Sequence, residues 1–446
     1  MTERIFKRKI YDRMLEWKRN DNGKTALLIQ GARRVGKSTI AEEFAKKEYG
    51  SYILIDFSKA TSEVMELFDD MSDLNYFFMR LQVAMRANLK ERHSVIIFDE
   101  VQFQPKARQA IKHLVKDHRY DYIETGSLIS IRKNVKDILI PSEEEKINMF
   151  PMDFEEFLWA MGDEVTVPLL RQFYDKFKPL GDAAHRKVMR SFRLWMLVGG
   201  MPQAVNEYLE TNNMELVDRR KRGILSLYDE DFTKIDPSGK ASQMFDSIPA
   251  QLSSNASRFM PSKAFKGGRN DRLTDILHDM KESMTISMCY HANDPSVGFS
   301  LNEDFSRYKM FMGDTGLFVT RAFKDKAFTE NIIYQKLLSD KLATNLGYVY
   351  ENAVAQMLRS KGDNLFYFTM PSETSKHLHE IDFLISRGSK ICPIEVKSKG
   401  YDTHKSFDEF CRVYSSCISD CYIVYTKDIQ RQEMVKFIPV YMTMFL

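Results

Sequence analysis

Four short apolar runs recur along the amino-terminal part of the chain, separated by stretches with helical spacing. They are Ala26-Leu27-Leu28-Ile29, Tyr52-Ile53-Leu54-Ile55-Asp56, Val95-Ile96-Ile97-Phe98 and Tyr120–Glu124. Near-continuous apolar runs of this length mark strands buried on both faces. Between the second and third runs, Leu67, Leu74, Phe78, Leu81 and Met85 fall at helical spacing. Residues 106–117 read as another helix. Such alternation predicts an α/β fold, a parallel sheet covered by helices on both faces. A basic amphipathic helix over residues 1–24, with Phe6, Ile10, Leu15 and Trp17 inward, packs on it.

The pattern changes after residue 150. Residues 151–240 are helix-rich and contain the turn Val198-Gly199-Gly200-Met201-Pro202. Residues 241–335 give helices over Ser253–Lys263 and Arg272–Lys281, then a strand over Ile286–Tyr290. That order suits a winged helix with its turn at Gly267-Gly268-Arg269-Asn270. Residues 336–446 form a last α/β unit. Its helix covers Tyr348–Lys361, its strands Leu365–Thr369, Ile381–Ser386 and Ile391–Lys397, and a helix over Phe407–Tyr414 precedes a strand over Cys421–Tyr425.

At 446 residues the chain has room for several domains. Its net charge of +3 gives no global case for nucleic acid, so any such case is local. Arg219-Arg220-Lys221-Arg222 reads as a solvated helix face. Arg258, Lys263, Lys266, Arg269 and Arg272 cluster on the winged-helix-like segment, as a DNA contact over 258–272 or as part of a packing module. Five cysteines without a CxxC pair, and no leader sequence, point to reduced thiols in the cytoplasm. No apolar run approaches the ~20 residues of a membrane helix.

Two places carry chemistry. Gly31-Ala32-Arg33-Arg34-Val35-Gly36-Lys37-Ser38 follows the first strand and opens a helix. A Gly-rich turn in that context offers backbone N–H groups, from Arg33 to Thr39, to a polyphosphate. Lys37 reaches the β- and γ-phosphates, and Ser38 takes a Mg²⁺ position. The third strand ends in Asp99-Glu100. Asp99 suits the Mg²⁺ shell, and Glu100 suits orienting or deprotonating the attacking water. At the end of the fourth strand, Thr125-Gly126-Ser127 is a simple turn or a γ-phosphate contact, with Ser127 the candidate. No arginine among Arg33, Arg34, Arg108, Arg119 and Arg132 is singled out as a finger.

The second place is Asp382 in one strand and Glu395 and Lys397 in the next, joined by the turn Arg387-Gly388-Ser389-Lys390. Residues two apart on a strand share a face, so Glu395 and Lys397 project together. Converging carboxylates suit Mg²⁺ or Mn²⁺, with Glu351 on the preceding helix as a third acid. Lys397 positions a water or stabilises a developing phosphorane charge. Lys405 is a phosphate contact or a surface lysine. His377, His379 and Glu380 read as hairpin surface, since a zinc site lacks its fourth ligand.

GARRVGKS, IIFDE followed by Gln102, and the ETGS segment resemble AAA-type ATPases, particularly those near the origin-recognition and signal-transduction (STAND) ATPases. The resemblance implies adenine contact at the Gly200-Met201-Pro202 turn, through Pro202. EIDFLI…ICPIEVKS resembles the PD-(D/E)xK nuclease superfamily, with Ile381 where Pro is usual. Together with Pro151–Leu158 and Tyr308–Leu317, these motifs resemble prokaryotic AAA-type ATPases that carry a C-terminal domain of unknown function (type 4143). The resemblance implies a P-loop ATPase core over 1–150, a helical lid over 151–240, a winged-helix-like domain over 241–335 and a nuclease-like domain over 336–446. It implies ATP and Mg²⁺ as cofactors and ATP-gated, metal-dependent cleavage or binding of DNA. The alternative is a STAND-like switch whose C-terminal domain is a catalytically dead module that binds a partner or DNA.

Overall fold

The computed structural model describes residues 4–126, 142–254, 256–265, 273–296, 298–299, 303–324, 331–339, 347–371, 378–401 and 403–446. They divide into two compact units, Met1–Phe150 with Glu282–Met284, and Pro151–Lys281 with Thr285–Leu446.

The first unit is built on β1 (Ala26–Gln30), β2 (Ser51–Asp56), β3 (Ser94–Asp99), β4 (Asp121–Gly126) and β5 (Glu144–Asn148). They form one sheet in the order β2-β3-β4-β1-β5, parallel at each pairing. Its helices are α1 (Ile10–Asp21), α2 (Lys37–Glu48), α3 (Ser62–Glu66), α4 (Leu74–Met85) and α5 (Pro105–Asp117). The strands serve two cores at once. Leu27, Ile29, Val95, Ile97 and Ile123 join Met14, Trp17, Ile40 and Phe44 on one face. Ala26, Leu28, Ile96, Phe98 and Tyr122 join Phe77, Leu81, Ile111 and Leu114 on the other. Alternate residues of one strand thus feed opposite cores, which is why the runs are apolar without a break. β5, Glu-Glu-Lys-Ile-Asn, escapes the sequence pattern because it is an edge strand with one deeply buried residue, Ile147.

The second unit begins with helices α6 (Phe154–Ala160), α7 (Thr166–Asp175), α8 (Asp182–Val198), α9 (Pro202–Thr211), α10 (Met214–Ile235), α11 (Lys240–Ser253), α12 (Pro261–Ala264) and α13 (Leu273–Glu282). Then come β6 (Ile286–Ala292), β7 (Glu303–Met312), α14 (Thr315–Ala322), α15 (Asn331–Leu338), α16 (Gly347–Ser360), β8 (Leu365–Pro371), β9 (Leu378–Arg387) and β10 (Lys390–Lys397). It closes with α17 (Lys405–Val413), β11 (Cys421–Tyr425), β12 (Gln430–Gln432) and β13 (Val435–Pro439). The eight strands make one mixed sheet, β12-β13-β11-β10-β9-β8-β6-β7.

That sheet corrects the winged-helix expectation. β6 pairs parallel with β8 and antiparallel with β7, so the strand of 286–292 belongs to the carboxy-terminal sheet and the boundary at 335 cuts through it. The local pattern of a strand is the same whichever sheet receives it, and the partner here lies over seventy residues away. The helical segment is likewise joined to the sheet. His185 on α8 bonds the Tyr441 hydroxyl at 3.0 Å and the Thr426 carbonyl at 3.1 Å. Arg258 and Lys263 are exposed, while Lys266, Gly267, Arg269 and Arg272 lie outside the described residues. The basic run on α10 is largely consumed within the fold. Lys221 is buried, and Arg219, Arg220 and Arg222 pair with Glu215, Glu207 and Asp218.

Gly199-Gly200 sits at a three-way junction. Gly200 donates its N–H to Asp314 at 2.6 Å and accepts from Met152 N–H at 2.8 Å. A Cβ on Gly200 would stand 2.2 Å from the Met152 carbonyl oxygen, so no larger residue fits. Asp314 also caps α14 by accepting from Leu317 N–H at 2.8 Å. The Pro151–Leu158, Gly199–Pro202 and Tyr308–Leu317 motifs therefore meet as packing, and Pro202 is the first residue of α9.

Candidate functional site

Register builds the first site. Asp99 ends β3, Gln30 ends β1, and the Gly126 partner of Gln30 ends β4, so three strands finish level. In open α/β sheets ligands collect at the carboxyl ends of strands. The loop after β1 turns into α2 at Gly36, whose φ of +102° is left-handed backbone that glycine adopts without strain. Val35 is buried in the core, which anchors the loop, while Arg33, Arg34 and Thr39 are not buried.

The Lys37 ammonium is buried and donates to the Gly31 and Ala32 carbonyls at 2.9 and 3.1 Å. The Ser38 hydroxyl donates to Asp99 Oδ1 at 2.7 Å. The Thr125 hydroxyl donates to the same oxygen from β4. Two hydroxyls and a carboxylate therefore converge at the first turn of α2. These are hard oxygen donors, and with the loop's N–H groups and Lys37 they fit a Mg²⁺-nucleotide. Glu100 follows with φ +53° and accepts a hydrogen bond from the Gln102 amide. Ser127 lies outside the described residues, and Thr125 is the hydroxyl that meets Asp99.

Beneath Thr125 lies a buried charge cluster that the sequence does not announce. Arg108 on α5 binds Glu144 on β5 through two bonds of 3.0 Å. Glu124 is fully buried beside them, and burial, then Glu144, raises its carboxyl well above the usual range. Arg108, one of the finger candidates, is thus spent inside the sheet.

Residues 23–158 match the family model described as AAA domain, residues 346–443 the domain of unknown function DUF4143, and residues 189–326 the domain of unknown function DUF8612. The chain carries an AAA-type ATPase domain followed by a DUF4143 domain. No curated protein matches it. Among solved structures, this ATPase is similar to a Walker-type ATPase of Pyrococcus abyssi, at 17% identity and TM-score 0.43, over 72% of this chain and 97% of the other. A STAND protein with a tetratricopeptide repeat sensor from Pyrococcus horikoshii is 12% identical, TM-score 0.25, over 80% of this chain and 48% of the other. A Cdc6 protein from Pyrobaculum aerophilum is 11% identical, TM-score 0.28, over 77% of this chain and 97% of the other. Among the described residues, no helix of the ATPase is long and apolar enough to cross a membrane.

The second site lies on the large sheet of the ATPase. The tight turn after Arg387 pairs Lys390 with Arg387 and carries the register to Ile394 opposite Phe383, with Glu395 and Asp382 next along. Asp382 Oδ2 accepts from Val396 N–H at 2.8 Å. Lys397 holds Glu395 Oε1 at 2.7 Å. Burial, then Asp382, pushes Glu395 up to about 8, against the pull of Lys397. Glu351 on α16 faces the same cluster, pushed up to about 7 by burial and drawn down by Lys309.

Lys309 and Glu380 belong to this cluster and were missed in sequence. Lys309 on β7 donates to Glu351 at 3.0 Å and Glu380 at 2.6 Å. Burial lowers its pKa, but Glu351, Glu380 and Asp382 outweigh burial and hold it well above the usual value. Glu380 is therefore no hairpin surface residue. His379 pairs instead with Glu409 at 3.2 Å, and His377 lies outside the described residues. Among the described residues, no group of three or more His, Cys, Asp or Glu is arranged to hold a metal ion. Glu351, Asp382 and Glu395 share one electrostatic neighbourhood, yet each is engaged by a different partner, so the set does not fit the divalent cation expected of it.

Proposed function

We propose that this chain is an ATP-hydrolysing switch whose carboxy-terminal domain, nuclease-like in form, engages DNA without cutting it. The observation that carries the ATPase half is the meeting of Ser38, Asp99 and Thr125 beside the phosphate loop. Loop N–H groups and Lys37 bind the phosphates, and Ser38 and Asp99 would hold Mg²⁺. A bound Mg²⁺ supplies neutralisation of charge on the transferred phosphoryl. Glu100 orients the attacking water and takes its proton.

For the second domain, the engagement of Glu351 by Lys309 supports binding over metal-dependent cleavage. DNA is proposed as the partner because Lys397 is followed by exposed Lys399 and Lys405, where β10 hands over to α17, beside exposed Arg258 and Lys263 elsewhere in the same unit. The test measures ATP turnover and DNA affinity, by fluorescence anisotropy, in the wild type and Lys37→Ala. Turnover lost in Lys37→Ala, with DNA affinity that responds to ATP only in the wild type, is expected. Metal-dependent cleavage of DNA that Lys397→Ala abolishes would restore the nuclease interpretation. DNA affinity indifferent to ATP would remove the switch.

A further inference from the structure

Lys309 comes from β7, outside the hundred or so residues that carry the nuclease-like order of elements. β7 is one of the two edge strands of the sheet, brought in by its pairing with β6. From there the lysine reaches across to α16 and β9. Its side chain is 5% exposed, and its ammonium lies 3.0 Å from Glu351, 2.6 Å from Glu380 and 5.5 Å from the centre of the buried Tyr367 ring. Asp382 lies within its electrostatic reach.

A divalent cation needs several oxygens turned inward at about 2.0–2.6 Å. Here Glu351 and Glu380 are drawn to the Lys309 ammonium instead, Asp382 to the Val396 N–H and Glu395 to Lys397. One acid remains half satisfied. Glu395 is over nine-tenths buried, and its Oε2 has no hydrogen-bond partner among the described residues while Oε1 is held by Lys397. A buried carboxylate oxygen without a donor is costly unless a cation or a proton serves it. The cluster thus retains the donors of a cation site together with a side chain that closes it.

We propose that Lys309 is a resident cation of this domain: its ammonium takes the charge-neutralising place among Glu351, Glu380 and Asp382, and a latent Mn²⁺ or Mg²⁺ site opens only when it is removed. This deepens the proposed function, since it gives the reason the domain engages its partner without metal chemistry. It rests on that function only for the partner, because the cation claim is read without DNA or ATP.

The experiment is Mn²⁺ titration of the nucleotide-free full chain, followed by electron paramagnetic resonance of free Mn²⁺ and by thermal unfolding. Wild type, Asp382→Asn, Lys309→Met and Lys309→Met/Asp382→Asn are compared. Wild type is expected to show no Mn²⁺ binding that Asp382→Asn removes. Lys309→Met is expected to bind Mn²⁺ at least about tenfold more tightly and to be stabilised by it, and the double variant to lose both gains. If Lys309→Met is unfolded in metal-free buffer, refolding with Mn²⁺ is the same positive result. Asp382-dependent Mn²⁺ binding in wild type overturns the proposal, as does a Lys309→Met chain that Mn²⁺ neither binds nor rescues. Absence of DNA binding with the expected Mn²⁺ results would remove the DNA partner and leave the resident cation standing.

Discussion

Glu100 holds left-handed backbone immediately after Asp99, a conformation that costs a non-glycine residue about 1 kcal/mol or more and collects at functional sites. That backbone separates it from Asp99, which faces Ser38 and Thr125. Replacing a general base removes about 10²–10⁴-fold in rate. Glu100→Gln is therefore expected to lower ATP turnover by that order with KM for ATP nearly kept, whereas Lys37→Ala loses binding itself. Steady-state kinetics separate the two. Lys221 makes a different prediction. It donates to the Leu197 carbonyl at 2.7 Å and to the Gly316 carbonyl and the Tyr334 hydroxyl at 3.2 Å each. Burial lowers it to about 8 from an ordinary 10.5, against the pull of Asp218. Between those values the unfolded chain binds more protons than the folded one, so this group makes stability rise as pH rises from about 8 to 10.5. The wild type minus Lys221→Met difference in urea unfolding free energy should carry that slope; a flat difference refutes it. The positions of Ser38, Asp99 and Lys397 in the fold are legible because their spacing follows from one loop and two strands. That of Lys309 is not, because a lysine in the tenth-residue stretch of β7 looks like any other until the strand's partner is known.

At the scale of elements, strands with an apolar run announce themselves, β2 at a sheet edge included, and the polar edge strands do not. β1 and β3 are buried throughout and apolar except for Gln30, Ser94 and Asp99 at their ends, while β5 and β12 are polar apart from Ile147 and carry no such signal. The helix Gly347–Ser360 and the turn end of the hairpin match the sequence expectation within one residue, since Gly388 with φ +60° fixes the turn and the turn fixes the register, while β9 begins three residues earlier than expected, at Leu378. The Gly199–Pro202 turn was read for adenine contact, and its glycines explain themselves by packing. Gly200→Ala would drive a methyl into the Met152 carbonyl and disturb the bonds that Gly200 makes with Met152 and Asp314. Overpacking of this kind costs about 1–3 kcal/mol. A fall of that size in the urea unfolding free energy of fragment 151–446, against a gain of about 0.5–1 kcal/mol for Gly223→Ala inside α10, where a Cβ meets nothing within 4 Å, would bear this out.

For the molecule as a whole, the sequence suggested three separate modules after residue 150, and the structure makes them one compact unit. The difference is non-local pairing: β8 lies between β6 and β9, so the sheet is completed by strands from both sides of the expected boundary at 335. A fragment of 336–446 would leave β8 with its backbone groups unpaired along the β6 side, an open edge that recruits other chains. It would also leave the half-buried carboxylates Glu351 and Glu380 without the Lys309 ammonium that holds both, an unfavourable like-charge pairing. Fragment 285–446 restores both but lacks α8, whose His185 bonds Tyr441 and Thr426, and the Gly199-Gly200 turn that Asp314 holds. Fragment 151–446 keeps all of these contacts. Expressed in parallel, 336–446 is expected to be insoluble or to lack dispersed amide resonances, 285–446 to be soluble only with reduced cooperativity, and 151–446 to unfold in one transition. A well-folded 336–446 would mean that the carboxy-terminal domain is complete by itself and that β6 and β7, with Lys309, are dispensable additions to it.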